Sequence, residues 1–498
     1  MEIVVKAGRP QSQKTGCLLF GACEGRRRSS VLQTYDDAQG GRIGLAAKRQ
    51  QFTGRVGEVL QVSPAEGARG VRIMVVGLGA EKGLTGERLR QAVGRAVDQL
   101  TTLHEEALTV VVDSFATRNL TTAALAEALA EGALLAAYRF DRYRTPTRTR
   151  SVPPKRLQLL LPTAAEAKAA QTAADLATAV CTGVTWARDL VNEPGNVKSP
   201  AWLAEQAREM ATAAGLECTI LDRAELEREK MGALLGVAQG SVRDPRLIIL
   251  RYQGGTANAK PVALVGKGVV FDAGGISLKP AAGMEEMKMD MAGGAAVLGT
   301  LRAAAALRLK CNLVGVVPAV ENMPSGTAIR PGDILTAQSG KTIEVQNTDA
   351  EGRLILADAL NYVRRYQPQV VVDLATLTGA CIIALGHHAT AVLGNDQRLI
   401  NDLHKAGEAS GERIWQLPLW EEYAAQIDSK VADVKNTGGR EAGTITAAAF
   451  LEKFADDLRW AHLDIAGTAW EEKGRPCYAF GGTGVGVRLL LRYLRDRS

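Results

Sequence analysis

The stretch Pro261–Gly275, which reads PVALVGKGVVFDAGG, decides the fold class. Its first apolar run, Pro261–Val265, predicts a strand, and Val269–Phe271 is strand-like as well. Glycines separate the two runs, and Asp272 and a glycine pair close the second. In open α/β sheets, ligands bind outside the carboxyl ends of the strands. The stretch therefore predicts a strand end that carries a carboxylate into a binding site.

Strands and helices alternate on both sides of this stretch. The predicted strands are Arg246–Tyr252, Cys311–Val317, Thr342–Gln346 and Val370–Leu374, and the predicted helices are Ala292–Leu307 and Leu354–Tyr366. Such alternation favours an α/β fold with a central mixed, mainly parallel sheet.

The N-terminal part of the chain shows the same alternation on a smaller scale. Its predicted elements are Val71–Gly77, Glu87–Leu103, Ala107–Val112, Thr122–Tyr138 and Leu157–Leu161. An alanine-rich, proline-free segment follows and predicts a long helix that stops at a Pro-Gly breaker. We predict an N-terminal α/β domain at 1–165, a connecting helix at 166–191 and a larger catalytic α/β domain at 192–498.

Composition is that of an ordinary globular protein, with 46% hydrophobic and 23% charged residues in 498. The seven cysteines are odd in number and form no CxxC pair, which favours a reducing compartment. The segment Met1–Pro10 has no apolar core of signal-peptide length, and no apolar run is long enough to span a membrane. We therefore expect a cytoplasmic protein without a membrane partner.

The net charge of +6 is concentrated in the N-terminal part. Residues 1–155 contain 23 lysines and arginines against 15 aspartates and glutamates, with clusters at Arg26–Arg28 and Arg139–Arg150. A solvated basic face accounts for this excess, and a surface that attracts phosphates is the alternative. No zinc finger, RNA-recognition motif or aromatic-basic interleaving supports nucleic-acid binding. DNA therefore stays open only as an additional partner.

Histidine is scarce where the motifs are densest. None of the five histidines lies between residues 105 and 386. A catalytic triad with histidine drawn from that region is excluded, and so is a HExxH zinc site. Hydrolytic chemistry there must rest on carboxylates, lysines, arginine and metal.

Four carboxylates lie next to predicted strand ends and glycine pairs, namely Asp272, Asp290, Asp349 and Glu351. Like charges that converge need a cation or must take up protons. A pair of divalent ions would supply that charge and could clamp a hydrolytic transition state. Each residue also has an ordinary interpretation: Asp349 could cap the helix that begins near Leu354, and Lys267 and Lys279 could be surface lysines.

At these residues the sequence resembles the leucyl aminopeptidase family, also called the cytosol aminopeptidases. The octapeptide NTDAEGRL at Asn347–Leu354 matches the family signature without a change. Further family-like segments are Val265–Pro280, Met287–Ala296, Pro318–Ile334, Asp373–Ala380 and Trp460–Trp470. Ala273 departs from the serine of many members, but no role in metal binding is assigned to that side chain. The resemblance spans roughly residues 185–498 and weakens toward the N-terminus.

The resemblance implies an aminopeptidase that removes the N-terminal residue, preferably leucine, from peptides with a free N-terminus. It implies two divalent ions, Mn or Zn with Mg or Co as alternatives, on Lys267, Asp272, Asp290, Asp349 and Glu351. Lys279 and Arg353 would be the catalytic side chains, with a bicarbonate ion held on Arg353. The implied substrate-binding residues are Met287, Asn347, Thr376, Leu377 and Gly379. The resemblance further implies a homohexamer.

Overall fold

A computed structural model describes residues 1–25, 29–63, 70–117, 119–145, 152–455 and 457–497. The chain divides into two compact units. The first comprises Met1–Cys181 and Lys473–Ala479, and the second comprises Thr182–Glu472 and Phe480–Ser498. The domain boundaries that the sequence suggests, at residues 165 and 191, stay a prediction. One helix, Ala164–Asn192, contains the point at which the two units divide.

The first unit is a sheet flanked by helices. Its strands are β1 (Glu2–Ala7), β2 (Cys17–Cys23), β3 (Val59–Val62), β4 (Arg72–Gly79), β5 (Ala107–Val111) and β6 (Arg156–Leu161). Its helices are α1 (Ser30–Ala38), α2 (Arg42–Arg49), α3 (Gly86–Thr102), α4 (Thr122–Ala136) and the beginning of α5 (Ala164–Asn192). The strand order is β1-β6-β5-β2-β4-β3, and only β3 pairs antiparallel with its neighbour.

Apolar side chains cover both faces of this sheet. Leu89, Val93 and Leu129 from α3 and α4 pack in one cluster, together with Ala170 of α5. A smaller cluster joins the other face to α1 and α2. Burial of apolar surface on two faces is the main stabilising contribution in such a layered unit.

The second unit contains the larger sheet. Its strands are β7 (Glu217–Leu221), β8 (Arg246–Gln253), β9 (Val262–Gly266), β10 (Gly268–Asp272), β11 (Asn312–Asn322), β12 (Ile334–Thr336), β13 (Thr342–Glu344), β14 (Val370–Ala375), β15 (Thr390–Gly394), β16 (Ile414–Gln416), β17 (Val434–Lys435), β18 (Trp460–Asp464), β19 (Trp470–Glu471) and β20 (Gly481–Gly482). Its helices are α6 (Pro200–Ala214), α7 (Arg223–Arg228), α8 (Gly232–Ala238), α9 (Ala292–Leu307), α10 (Glu351–Val363), α11 (Gly379–Leu385), α12 (Gln397–Ser410), α13 (Glu421–Ala424), α14 (Gly443–Ala455) and α15 (Val487–Arg495), beside the end of α5.

Nine strands form the central sheet of this unit. The order is β16-β15-β18-β14-β9-β11-β8-β7, and β10 pairs with β11 outside that path. The pairs among β18, β14, β9 and β11 are parallel, whereas β8 and β7 are antiparallel to their neighbours, as is β15 to β18. The predicted fold class, an α/β protein with a mixed and mainly parallel sheet in the larger part, is confirmed.

Several elements differ from their prediction. The strand expected at Cys311–Val317 continues through Pro318 to Asn322. Proline usually ends an internal strand because it lacks an N–H, but here β10 pairs with the extension from Ala319 onward. The strands β1 and β2 were not predicted, because short apolar runs cannot be assigned by periodicity alone.

The basic clusters of the N-terminal part lie only partly within the described residues. Arg26–Arg28 lies outside the described residues, as does the 146–150 portion of Arg139–Arg150. Within the part of the chain that the structure describes, no helix is long and apolar enough to cross a membrane.

Candidate active site

Strand ends and loops of the second unit surround a cavity of about 400 Å³. Asp272 ends β10, Glu351 begins α10, and Thr376 follows β14. Asp290 follows a 3₁₀ helix, Met284–Met289. All twelve predicted site residues line this cavity: Lys267, Asp272, Lys279, Met287, Asn347, Asp290, Asp349, Glu351, Arg353, Thr376, Leu377 and Gly379. The sheet edge therefore collects them from segments far apart in sequence.

Close backbone packing places the Lys267 side chain in the cavity. The amide of Lys267 donates to Leu374 O at 3.0 Å, and its carbonyl accepts from Gly294 N at 2.8 Å. A side chain at Gly293 would collide with the backbone of Leu374. A Cβ at Gly352 would lie 2.8 Å from Lys267 Nζ. Both glycines are required because the backbone must approach Lys267 and its strand this closely.

The two cavity lysines each bridge a pair of carboxylates. Lys267 Nζ lies 2.8 Å from both Asp290 Oδ2 and Glu351 Oε1 and donates to Thr376 O at 2.9 Å. Lys279 Nζ lies 2.9 Å from Asp272 Oδ2 and 2.6 Å from Asp349 Oδ1. Neither is an ordinary surface lysine, because Lys267 is buried and Lys279 is largely enclosed.

Electrostatics in the cavity are those of a crowded acidic site. Burial lowers the pKa of Lys267, but Asp290, Glu351 and Asp272 outweigh burial and hold it above its ordinary value. Burial raises the pKa of Asp290 well above its usual range. Burial together with the neighbouring carboxylates raises the pKa of Asp349 to about 6. The carboxylates thus repel one another, and the site favours additional positive charge.

Three of the carboxylates could hold a common cation. One oxygen each from Asp272, Asp290 and Glu351 lies within 4.8 Å of the others, and all three residues are buried. Among the described residues, Asp290 Oδ2 and Asp349 Oδ1 are paired with the ammonium groups of Lys267 and Lys279, and the buried Glu351 Oε2 has no hydrogen-bond partner. Buried polar atoms are rarely left so, and a metal ion satisfies such oxygens. The donor set therefore fits divalent cations.

Asp349 does not cap a helix. Helix α10 begins at Glu351, three residues before its predicted start, and its N-cap is Ala350, whose side chain makes no capping hydrogen bond. Asp349 instead receives its position from Asn347, whose Oδ1 accepts from Asp349 N at 2.8 Å. The capping interpretation was therefore wrong, and the early helix start brings Glu351 itself into the cavity.

Two asparagines that sequence reasoning missed hold the predicted ligands in place. Asn322 Nδ2 donates to Asp272 Oδ1 at 2.8 Å and to Thr348 O at 3.0 Å. Asn436 Nδ2 donates to Asn347 O at 2.7 Å. Asn322 lay within a segment noted as family-like, whereas no signal pointed to Asn436. Such supporting hydrogen bonds orient ligands toward a metal.

Arg353 is buried beside the carboxylates. Its Nη1 donates to Asn436 O at 2.8 Å, and its Nε has no hydrogen-bond partner among the described residues. Burial lowers the pKa of Arg353 to about 10, although Glu351 and Asp464 act in the opposite direction. The guanidinium therefore remains charged near neutral pH with donor capacity to spare.

Histidine takes no direct part in the described cavity. None lines it among the residues that the structure describes. The fully buried His462 pairs with Asp373, with Nδ1 and Oδ1 2.5 Å apart, and Trp460 Nε1 donates to the other oxygen of Asp373 at 2.6 Å. The absence of a cavity histidine agrees with the sequence analysis.

Sequence reasoning also missed one wall of the cavity. This wall is the loop between β17 and α14 together with the first residue of α14, and its lining residues are Thr437, Gly438, Gly439, Arg440 and Gly443. The pair of glycines was the only local signal. Thr376, predicted to bind substrate, also donates through Oγ1 to Asp290 Oδ1 at 2.6 Å.

A cavity at the carboxyl edge of a mainly parallel sheet, lined by buried carboxylates and lysines, is typical of an α/β enzyme. The catalytic-domain model of the cytosol aminopeptidase family matches residues 185–491, and the N-terminal-domain model matches residues 19–147. The chain belongs to this family and is a peptidase, as its sequence predicted.

Relatives and solved structures agree with this assignment over the whole length. A probable cytosol aminopeptidase of Syntrophotalea carbinolica is 53% identical over 100% of both chains, and one of Geobacter sulfurreducens is 48% identical over 99% of both. The bottromycin maturation enzyme BotP in complex with Mn is 34% identical with a TM-score of 0.85, covering 97% of this chain and 100% of that one. A tomato leucine aminopeptidase mutant is 33% identical with a TM-score of 0.89, covering 100% and 96%.

Proposed function

We propose that this peptidase uses two divalent metal ions to remove the N-terminal residue, preferably leucine, from peptides with a free N-terminus. The observation that carries the proposal is the buried cluster of Asp272, Asp290 and Glu351, in which Glu351 Oε2 has no hydrogen-bond partner among the described residues. The supporting relatives are named as cytosol and leucine aminopeptidases.

The ligands would be Lys267, Asp272, Asp290, Asp349 and Glu351. Together these five side chains would hold both ions, and the oxygens of Asp272, Asp290 and Glu351 lie within 4.8 Å of one another. Oxygen donors with one amine suit Mn or Zn, with Mg or Co as alternatives. The similar BotP structure in complex with Mn supports the first of these. When bound, the ions would activate water near neutral pH and polarise the scissile carbonyl.

The two lysines would act in opposite charge states. Lys267 can serve as a ligand only when neutral, so it must give up its proton as metal binds. Lys279, which is partly exposed, would keep its charge and stabilise the oxyanion that develops on the scissile carbonyl. Asp290 would receive the free amine of the substrate, which restricts cleavage to the N-terminus.

Arg353 would hold an anion that serves as general base. Its unpartnered Nε and its fixed position on Asn436 O leave donors for a planar, carboxylate-like ion. Bicarbonate fits that geometry, and no cavity histidine competes for the role among the described residues.

The leucine preference rests on the lining of the cavity. Met287, Leu377 and Gly379 are apolar or small, and Thr376 directs its hydroxyl to Asp290. An apolar wall of this kind accepts a branched aliphatic side chain, since burial of such a side chain contributes about 1.5–3 kcal/mol. Asn347, which also lines the cavity, would contact the substrate.

The homohexamer, the cytoplasmic location and DNA binding are proposed on three different grounds. The homohexamer rests on the family resemblance, and the cytoplasmic location rests on the relatives' name, cytosol aminopeptidase. DNA binding rests only on the basic excess of residues 1–155. A gel shift with duplex DNA at several salt concentrations tests the last, because phosphate contacts weaken steeply with salt.

Hydrolysis of leucine p-nitroanilide before and after chelation tests the proposed function. Chelation should abolish activity, and re-addition of Mn or Zn should restore it, whereas Mg and Co establish the selectivity. Full activity in protein shown by elemental analysis to be free of metal would contradict a metal-dependent mechanism.

A further inference from the structure

One cationic side chain that lines the cavity, that of Arg440, is not paired with any of the described residues. Of the four cationic residues that line it, Lys267 and Lys279 are paired with carboxylates, and Arg353 donates to a backbone carbonyl. Arg440 is exposed and has no hydrogen bond or ion pair with any residue that the structure describes. A charged group at the edge of a binding cavity is available for a ligand of opposite charge.

The loop that carries Arg440 is held in place at both ends. At its start, Asn436 Nδ2 donates to Asn347 O at 2.7 Å, which ties the loop to the signature segment. At its end, Ala442 O accepts from Ile445 N and Thr446 N at 2.8 and 2.9 Å. Arg440 is therefore presented to the cavity by a fixed segment, although its own side chain is free.

The chemistry of peptides indicates what reaches this position. If the N-terminal amine lies among the carboxylates, the remainder of the peptide must leave toward the exposed edge. A cavity of about 400 Å³ is at the small end for ligand sites, so it holds the first residues of a peptide while the rest extends beyond its open edge. In a dipeptide, the residue that follows the scissile bond ends in the terminal carboxylate. In a longer peptide, a neutral amide takes its place.

We infer that Arg440 binds the C-terminal carboxylate of dipeptide substrates and makes the enzyme favour dipeptides over longer peptides. This inference rests on the proposed aminopeptidase function, because it assumes the amine end of the substrate at the metal ligands. Arginine suits the task because its planar fork pairs with a carboxylate through two parallel hydrogen bonds. Glu441, its exposed neighbour in sequence, is not among the described residues that line the cavity.

The test compares two substrates that differ only in that charge. We would measure kcat/KM for Leu-Gly and for leucyl-glycinamide with the Mn-loaded full chain. Replacing Arg440 with Gln should lower the Leu-Gly to leucyl-glycinamide ratio by about threefold to tenfold, as expected for one partly exposed charge-assisted pair. Arg440→Lys should keep part of the ratio. The difference between the substrates should shrink in about 0.5 M salt because an exposed pair is screened.

Arg398 provides the matched control. It is exposed on α12 and does not line the cavity, and its side chain has no hydrogen bond or ion pair with any residue that the structure describes. Arg398→Gln should leave the substrate ratio at its wild-type value, and metal content should be equal in all variants.

Each outcome decides something. An unchanged ratio in Arg440→Gln with both substrates hydrolysed would overturn the inference and leave the proposed function standing. We would also measure kcat/KM for the tripeptide Leu-Gly-Gly, and an equal loss for Leu-Gly and Leu-Gly-Gly in Arg440→Gln would overturn the dipeptide assignment. Failure of the metal-loaded wild type to hydrolyse either substrate would overturn the proposed function and the inference with it.

Discussion

At the scale of single residues, the site places two lysine ammonium groups between pairs of carboxylates that would otherwise repel each other. Lys267 lies between Asp290 and Glu351, and Lys279 lies between Asp272 and Asp349. Each ammonium reduces the repulsion within an acidic pair, yet the two differ in burial, since Lys267 is enclosed and Lys279 reaches the cavity surface. That difference is the basis for assigning them different roles.

Arginine substitutions separate those roles, because arginine keeps its charge and offers no lone pair. Lys267→Arg should weaken one metal site directly. Lys279→Arg should retain metal and lose about 10²–10³ in turnover, the usual effect of removing one oxyanion donor. Metal content per chain, measured beside turnover, checks both. Wild-type metal affinity in Lys267→Arg, or metal loss in Lys279→Arg, would reverse the assignment.

Metal affinity should rise with pH. In the metal-free protein the carboxylates raise the pKa of Lys267 above its ordinary 10.5, so the lysine is protonated near neutrality and must release its proton to become a ligand. Affinity should increase about tenfold or more per pH unit above pH 6, because Lys267 releases a proton and Asp290, whose pKa burial raises well above its usual range, adds to that release. It should fall more steeply below the pKa of Asp349, about 6, because a further proton is then displaced. Calorimetric Mn titration in buffers of different ionisation enthalpy counts the protons, and zero protons released at pH 7.5 would exclude a lysine ligand.

At the scale of elements, α10 connects the site to the core of the second unit. Glu351 and Arg353 lie in its first turn, and Asp358 lies two turns on and is fully buried. Asp358 Oδ2 accepts from Leu234 N at 2.9 Å, near the start of α8, and Oδ1 accepts from Gln338 N at 2.8 Å. This single side chain therefore serves as a cap for a helix that lacks one of its own.

Asp358→Ala should lower the free energy of unfolding by about 1–3 kcal/mol or more, because it leaves buried backbone N–H groups without acceptors. Asp428→Ala, at an exposed position, serves as the control and should change stability by under about 0.5 kcal/mol. Urea unfolding of both variants checks this. Equal midpoints would show that Asp358 does not hold α8.

The elements that could be predicted from the sequence were those with a strongly periodic apolar pattern or with glycines that mark their ends. The helix Ala292–Leu307 and the strand end at Asp272 follow from apolar patterns and glycines, and the structure places them as expected. The ligand set followed from the family signature. Asn436 and Arg440 could not be found, because their roles depend on a loop that meets the signature segment only in the folded chain. Likewise, α11 was not predicted, because a glycine begins this short helix and another follows it; in the structure Thr378 caps it.

At the scale of the whole molecule, the family assignment covers both parts of the chain. The first matched region, 19–147, ends before the long helix α5, and the second, 185–491, begins within the last turns of that helix. The basic excess of the N-terminal part is not explained by the peptidase site, which lies wholly in the second unit. Its two interpretations are a solvated basic face and a surface that attracts phosphates.

The protein should assemble as a homohexamer with about six times the 52.9 kDa mass of one chain. The expectation comes from the family resemblance, since composition carries no oligomer count. Multi-angle light scattering at several concentrations, with activity measured on the same fractions, checks it. A stable monomer with full activity would contradict the hexamer.

The central claim is that two divalent ions share the carboxylates of this cavity. The most direct test is metal stoichiometry with activity in wild type and Glu351→Ala, determined by elemental analysis after equilibration with Mn. The account predicts two ions per chain in wild type, and loss of both metal and leucine p-nitroanilide hydrolysis in Glu351→Ala, because the ions would then repel each other without a bridging charge. Two ions per chain and near-normal turnover in Glu351→Ala would contradict it.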